Sequence, residues 1–360
     1  MTMLAAMFYA PLDVRMEYRP IPQPGAGEIL MKVVAATTCG TDVKTYLRGH
    51  PLLIRNIPSG FGHEVAGFVA AIGPGVTQCV EGDAIVIANS APCQQCFYCR
   101  RGNFSLCEDL LLLNGAYAEY LLVPERIVRT NLYHLVPDSS FIAAALTEPL
   151  ACALHGVDAC GIIQGDTVVI LGSGPLGLLL TATAKLKGAH TVIIGRNTNR
   201  LALASHFGAD EAIDTSKYTL EEEREAILDK TEARRGADIV IEAVGVPETW
   251  ELAASLVQPG GLVNFFGGCP SGSRVNFETR PIHYNELTFK GVFHHTPSYF
   301  AQALELIQGH QIDVERLITE RLPLASTVEA LELLVQKQGV KFALIPPDFQ
   351  QDHLPPAIHL

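Results

Sequence analysis

Cys93, Cys96, Cys99 and Cys107 follow the spacing C-x2-C-x2-C-x7-C, four thiols within fifteen residues. One loop can present thiolates so spaced to a single ion at about 2.3 Å each, the tetrahedral four-sulfur set of a structural zinc. Two disulfides are the alternative use of the same residues. Met1-Thr2-Met3-Leu4-Ala5-Ala6-Met7 has no basic stretch and no long apolar run, so a cytoplasmic setting is expected, where clustered cysteines hold metal more often than they form bridges. A closed four-sulfur site serves folding, and reactive chemistry must come from other residues. Cys79, Cys152, Cys160 and Cys269 read as buried small hydrophobes.

A second constellation, Gly172-Ser173-Gly174-Pro175-Leu176-Gly177, has the pattern G-x-G-x-x-G between an apolar strand and an apolar helix. In that context the glycines make a tight turn, let backbone approach a pyrophosphate, and pack helix on strand, with the anion at the helix N-terminus. An NAD site places a carboxylate about 20 residues on, against the ribose 2′-OH. From Thr167 through Ala209 there is no Asp or Glu; the second strand ends Gly195-Arg196-Asn197, with Arg200 beyond. A glycine that leaves room and an arginine that can pair with a 2′-phosphate predict NADP(H) in preference to NAD(H).

A third set could hold a metal with an open position: Cys39 in Cys39-Gly40-Thr41-Asp42, His63-Glu64 after Gly62, and Glu148 in Glu148-Pro149-Leu150. Cys, His and carboxylate suit a catalytic zinc. Each also has a plain packing reading: a core cysteine, a satisfied buried histidine, a carboxylate favoured by a helix dipole.

These residues need elements to position them. Up to about residue 150 the chain reads as short strands, 28–34, 65–72, 83–87 and 118–124, punctuated by turns as in a barrel or sandwich. A helix over 149–160 follows. Strands at 167–171, 191–194, 211–213, 238–241 and 261–266 then alternate with helices, including 199–207 and 220–231. That alternation predicts an α/β, parallel, doubly wound sheet. Two helices and a strand at 341–345 come last, and 347–360 reads as a Pro/Gln-rich tail. His294-His295 is expected on an extended segment with its two rings on opposite sides, and His155 reads as helix packing.

In this order, CGTD, GHE, the four-cysteine lobe, EPL and GSGPLG, the chain resembles the zinc-dependent medium-chain dehydrogenases from about residue 5 to 346, and within them the sorbitol, butanediol and threonine dehydrogenase branch. The resemblance implies a GroES-like β-rich catalytic domain (1–152, with the zinc lobe at about 90–110), an inserted Rossmann domain (153–297) and a return to the catalytic domain (298–346). It implies two zinc ions per chain, with Cys39 and His63 as ligands of the catalytic one, Glu64 as ligand or neighbour, and Glu148 as third ligand or water-binding carboxylate. Thr41 stands where the family's hydroxyl accepts the substrate proton. The family's relay histidine is replaced by Lys44, so that Lys44, Asp42 or water would finish the relay. Val244, Gly245, Phe266 and Gly267 stand where the nicotinamide end is lined. The implied activity is reversible hydride transfer between a secondary alcohol (polyol, cyclitol, sugar or amino alcohol) or its ketone and the nicotinamide, in a homodimer or homotetramer. Two rivals are a zinc-free quinone or enone reductase of the same fold and a non-catalytic NADPH-binding sensor.

Composition narrows the partners. The 360 residues are 48% hydrophobic and 18% charged, ample for two cores. The net charge of −12, with no basic block, argues against nucleic acid or an anionic membrane surface. No apolar run is long enough to span a bilayer.

Overall fold

The apolar run Thr167–Leu171 forms a five-residue strand whose last four side chains are all buried. Valine and isoleucine suit a pleated strand covered on both faces, and burying each such side chain contributes about 1.5–3 kcal/mol. Parallel neighbours flank it, His190–Gly195 on one side and Ala237–Glu242 on the other. The full sheet has six strands in spatial order 3-2-1-4-5-6 along the chain, ending at Glu211–Asp214 and Thr288–Gly291. This is the doubly wound dinucleotide-binding order, whose ligand crevice lies at the carboxyl ends of the strands where the order reverses.

The computed structural model describes residues 1–349. Contacts divide the chain into two units: Met1–Glu148 together with the chain from Thr296 onward, and Pro149–His295.

The first unit is built on the strand Ile29–Thr37. It pairs antiparallel with Glu64–Ile72, with Tyr120–Val123, and with the returning strand Lys341–Ile345. Register matters here. Thr37 lies opposite Glu64 on one neighbour and opposite Ala343 on the other, so the end of one strand meets the beginnings of two others. Cys39 follows at once and caps the helix Gly40–Arg48.

Several elements were not legible in the sequence. That helix carries Gly40, Thr41, Val43 and Thr45, poor helix formers; a capping box between Cys39 and Asp42 compensates. The hairpin Thr2–Ala10 with Asp13–Pro20 has no Asn-Gly signal and reverses through Pro11-Leu12, with Leu12 at φ 64°. The strand Ile318–Pro323 ends its sheet path and has no buried residue, so it lacks an apolar stripe.

Three expectations are corrected. The helix over 199–207 is split into Thr198–Leu201 and a tighter turn Ala204–Phe207, closed by Gly208 in the left-handed region. His294 is not extended: its φ is 60°, and its ring lies beside that of His295 at 4.0 Å between centroids. The tail does not start at 347, because Asp348 pairs with Lys32 at 2.7 Å and the Phe349 ring lies 6.5 Å from that of Phe68; the rest of it lies outside the described residues.

Candidate active site

The lobe brings its four cysteines together. All four sulfurs lie within 4.8 Å of one another, with Cys93–Cys99 at 3.9 Å and Cys96–Cys107 at 4.0 Å. Tetrahedral bonds of about 2.3 Å put ligand sulfurs about 3.8 Å apart, whereas a disulfide would need about 2.05 Å. All are free thiols, and the set fits a zinc. Backbone N–H groups of Cys96, Cys99 and Cys93 point at the sulfurs of Cys93, Cys96 and Cys107 at 3.4, 3.5 and 3.2 Å. The donation from Cys99 is the largest of the influences that lower the Cys96 thiol to about 6, while burial pushes Cys99 up to about 12.

A second group forms where the three strand ends meet. Ligand atoms of Cys39, His63 and Glu64 lie within 4.8 Å of one another. Asp42 organises it. One carboxylate oxygen accepts from the Cys39 backbone at 2.9 Å and from the Tyr117 hydroxyl; the other lies 3.0 Å from His63 Nδ1. With Nδ1–H donating to Asp42, the imidazole keeps its Nε2 lone pair for a ligand, the usual way a carboxylate orients a metal-binding histidine. Burial works against charge on His63, yet Asp42 and Cys39 raise its pKa well above the ordinary value, so without a metal Nε2 carries a proton that a ligated metal would displace. Desolvation first and Asp42 second hold Tyr117 protonated, so its hydroxyl remains a donor.

Glu64 is completely buried, and so is its counter-ion. Lys341 Nζ lies 2.8 and 2.7 Å from its two oxygens, and the Thr37 hydroxyl donates to one of them. Burial favours neutral Lys341, but Glu64 and Cys39 facing it prevail and its pKa is raised. Lys341 is thus a charged site residue that sequence reading missed. The available signal was a lysine opening the apolar strand Lys341–Ile345. Glu148 stands outside the Cys39/His63/Glu64 group; it is buried and accepts from Asn89 Nδ2 at 3.4 Å. Thr41 is half-buried and donates its N–H to Cys39 Sγ at 3.4 Å. Lys44 lies one helical turn further, and with His63 and Arg48 it adds to the burial that depresses His50.

The glycine turn is shaped as its spacing requires. Gly172 sits at φ 111°. A side chain on Gly177 would bring Cβ to 1.8 Å from the Gly172 carbonyl, so close packing of helix on strand admits only glycine. Gly174 caps the helix Pro175–Leu186, with Pro175 in its first turn and Leu176 half-buried beside it. Pro175 has no N–H; the N–H groups of Leu176 and Gly177 precede the first helical hydrogen bond, from Leu178 N to the Gly174 carbonyl, and suit a pyrophosphate.

At the second strand, a Cβ on Gly195 would stand 2.0 Å from Ser173 Oγ. Packing against the turn therefore demands this glycine independently of any phosphate. Asn197 caps the next short helix, accepting from Arg200 N at 3.0 Å, and desolvation lowers the pKa of half-buried Arg200. Arg196 is exposed, but its guanidinium is held at 2.7 Å by buried Glu223. Glu223 is a second site residue not legible in the sequence, because it lies in the helix Leu220–Leu228, far beyond the spacing of about 20 residues at which a ribose acid is expected.

Val244, Gly245, Phe266 and Gly267 converge on Glu242. That carboxylate accepts from Val244 N and Gly245 N at 2.8 and 2.9 Å, and its carbonyl accepts from Phe266 N and Gly267 N at 3.0 and 2.8 Å. The carbonyl of His294 accepts from His155 Nδ1 at 2.7 Å, and His295 is buried; His155 therefore ties down this turn.

Comparisons with known proteins agree with the architecture. Two family models match, "Alcohol dehydrogenase GroES-like domain" over residues 25–132 and "Zinc-binding dehydrogenase" over 175–309. The chain is 30% identical to a sorbitol dehydrogenase of Bacillus subtilis, covering 93% of this chain and 94% of that one. It is 34% identical to an L-threonine 3-dehydrogenase of Pyrococcus abyssi, covering 84% and 86%. A solved zinc-binding dehydrogenase structure from Sinorhizobium meliloti 1021, bound to NADP, superposes with a TM-score of 0.87 at 31% identity, over 96% of this chain and all of that one.

Proposed function

The chain belongs to the zinc-dependent medium-chain alcohol dehydrogenase family, and on that premise we propose that it exchanges a hydride between a secondary alcohol and NADP(H), with one catalytic and one structural zinc. The observation that carries this is the convergence of Cys39, His63 and Glu64 ligand atoms within 4.8 Å. A metal held by Cys39, His63 and Glu64 would supply Lewis-acid polarisation of the alcohol oxygen, and a nicotinamide held at the glycine turn would supply the hydride acceptor. The chain's own residues do the rest. Asp42 holds the Nδ1 proton of His63 and leaves Nε2 as the ligating atom. Lys341 and Thr37 restrain Glu64. The Thr41 hydroxyl receives the alcohol proton, and Lys44, three residues on in the same helix, shares its face and can carry the proton outward. Glu148, beside Asn89, completes the polar wall.

A polyol, cyclitol, sugar or amino alcohol is the substrate class, supported by the sorbitol and threonine dehydrogenase relatives. NADP(H) preference is supported by Arg196 at the strand end, by the lack of an acid between Thr167 and Ala209, and by the NADP-bound relative. The Arg196 side chain is 60% exposed and already shares its charge with Glu223, so its phosphate contact is placed near the lower end for charge-assisted bonds, about 1.5 kcal/mol, or roughly tenfold in affinity.

The test is titration of NADPH and NADH on the parent and Arg196→Ala, beside a panel of secondary alcohols and ketones assayed with and without chelator. The expected result is tighter NADPH binding in the parent, a loss of about tenfold for NADPH alone in the variant, and turnover abolished by chelation. A parent that prefers NADH, or a variant that weakens both cofactors equally, overturns the cofactor reading. Chelator-resistant quinone or enone reduction overturns the zinc reading.

A further inference from the structure

We propose that Glu223 is a specificity-determining residue of the dinucleotide site: its carboxylate fixes Arg196 at the end of the strand His190–Gly195 and limits how strongly that end favours a 2′-phosphate over a ribose hydroxyl. The inference rests on Arg196 being the phosphate-contacting residue, as proposed above.

The geometry is that of a built support. The Glu223 side chain is 6% exposed and the Arg196 side chain 60%, so a buried carboxylate anchors a guanidinium that faces solvent. Both carboxylate oxygens are committed: Oε2 accepts from Arg196 Nη2 at 2.7 Å and Oε1 from the Thr215 hydroxyl at 3.0 Å. Thr215 in turn is buried, and its N–H donates to the Gly195 carbonyl at 3.0 Å. Gly195, Thr215, Glu223 and Arg196 therefore form one closed circuit at the ends of two adjacent strands. Glu223 lies in the first turn of the helix Leu220–Leu228, where the dipole favours a negative charge.

Two opposing effects follow. Anchoring keeps an otherwise flexible arginine where a phosphate can meet it, and a guanidinium has five N–H donors, so the anchored side chain can still bind. The anchoring charge is negative, however, and the phosphate meets a pair of zero net charge instead of a free cation. A carboxylate thus does lie at this strand end, but it comes from the helix Leu220–Leu228 and is committed to Arg196 and Thr215. The predicted consequence is a moderate NADP(H) preference that substitution at Glu223 can move in either direction.

Glu223→Gln keeps an oxygen to accept from Arg196 and removes the charge. Glu223→Asp keeps the charge and withdraws it by one methylene, loosening the anchor. Dissociation constants for NADPH and NADH are measured by fluorescence titration on the parent, both variants and Arg196→Ala, with a thermal melt of each. For Glu223→Gln, NADPH should bind roughly fivefold to tenfold tighter, the order expected for removing one charge near a phosphate in partly solvated surroundings, with NADH within about twofold. For Glu223→Asp, NADPH should weaken by about severalfold and NADH should stay put. A purely structural role would move both cofactors together or neither, and either result overturns the inference. If Arg196→Ala selectively weakens NADPH while both Glu223 variants leave the cofactor ratio unchanged, this inference alone falls. If Arg196→Ala has no selective effect, the reading of Arg196 falls and this one with it. Should the Gln variant melt out below the assay temperature, the Asp variant decides by the same criterion.

Discussion

Replacing Lys341 by Met leaves a buried carboxylate without its counter-ion. Glu64 is 0% and Lys341 1% exposed, and both Glu64 oxygens lie within 2.8 Å of Nζ. Of the two side chains that donate to Glu64, the substitution leaves the Thr37 hydroxyl. Removing one partner of such a buried pair costs about 3–5 kcal/mol, mainly from stranding the other charge, against a total stability of about 5–15 kcal/mol. A domain of this size shifts by roughly 2–4 °C per kcal/mol, which predicts a melting point lower by about 6–20 °C. Met is close to Lys in length, so little of the loss comes from a cavity. The second half of the test is Glu64→Gln with Lys341→Met: with no charge left to strand, and Thr37 still donating to the amide oxygen, most of the loss should return. Thermal and urea melts are run with excess chelator, so that a metal cannot take over the lysine's role. A cost below about 1 kcal/mol, smaller than the range for a broken buried pair, or a double variant no better than the single, would refute the argument that Lys341 is needed chiefly to neutralise Glu64.

The two metal sets should respond differently to loss of one sulfur. Cys99→Ser should lower the melting temperature and solubility more than the turnover of the fraction that folds, and Cys39→Ser should abolish turnover with the melt nearly unchanged, because a closed four-sulfur site contributes folding energy and an open one activates substrate; elemental analysis of the parent should find two zinc ions per chain, and one or none would count against one or both sites. After chelation, Cys96 should be the first thiol alkylated by iodoacetamide. Its pKa is lowered to about 6, so the thiolate dominates above that pH, and the rate falls as the proton returns below it. Cys99, pushed up to about 12, should stay unreactive across the same range. Peptide mapping at a series of pH values reads this directly, and equal rates at the two positions would contradict it.

The features legible in the chain itself were local ones. Four cysteines in fifteen residues, a glycine triplet between an apolar strand and an apolar helix, and the alternation of strand and helix after residue 160 need only short-range geometry to be read. Side chains at fixed spacing on one loop or turn can meet without knowledge of the rest of the fold. The residues that tertiary structure alone assigned are joined across long stretches of chain. Lys341 reaches Glu64 over 277 residues, Tyr117 reaches Asp42 over 75, and Glu223 reaches Arg196 over 27. Each partner is polar and buried or half-buried, and in sequence it looks like a lone charge in an apolar strand, a core tyrosine, or one acid among the four of Glu221, Glu222, Glu223 and Glu225. Their pairing is set by which strand lies beside which and in what register. It is the antiparallel alignment of Glu64 with Thr37, and of Ala343 with Thr37 on the other side, that lets the lysine two residues before Ala343 reach the carboxylate. A buried charge must find a partner, and sequence alone indicates that need without indicating which residue meets it.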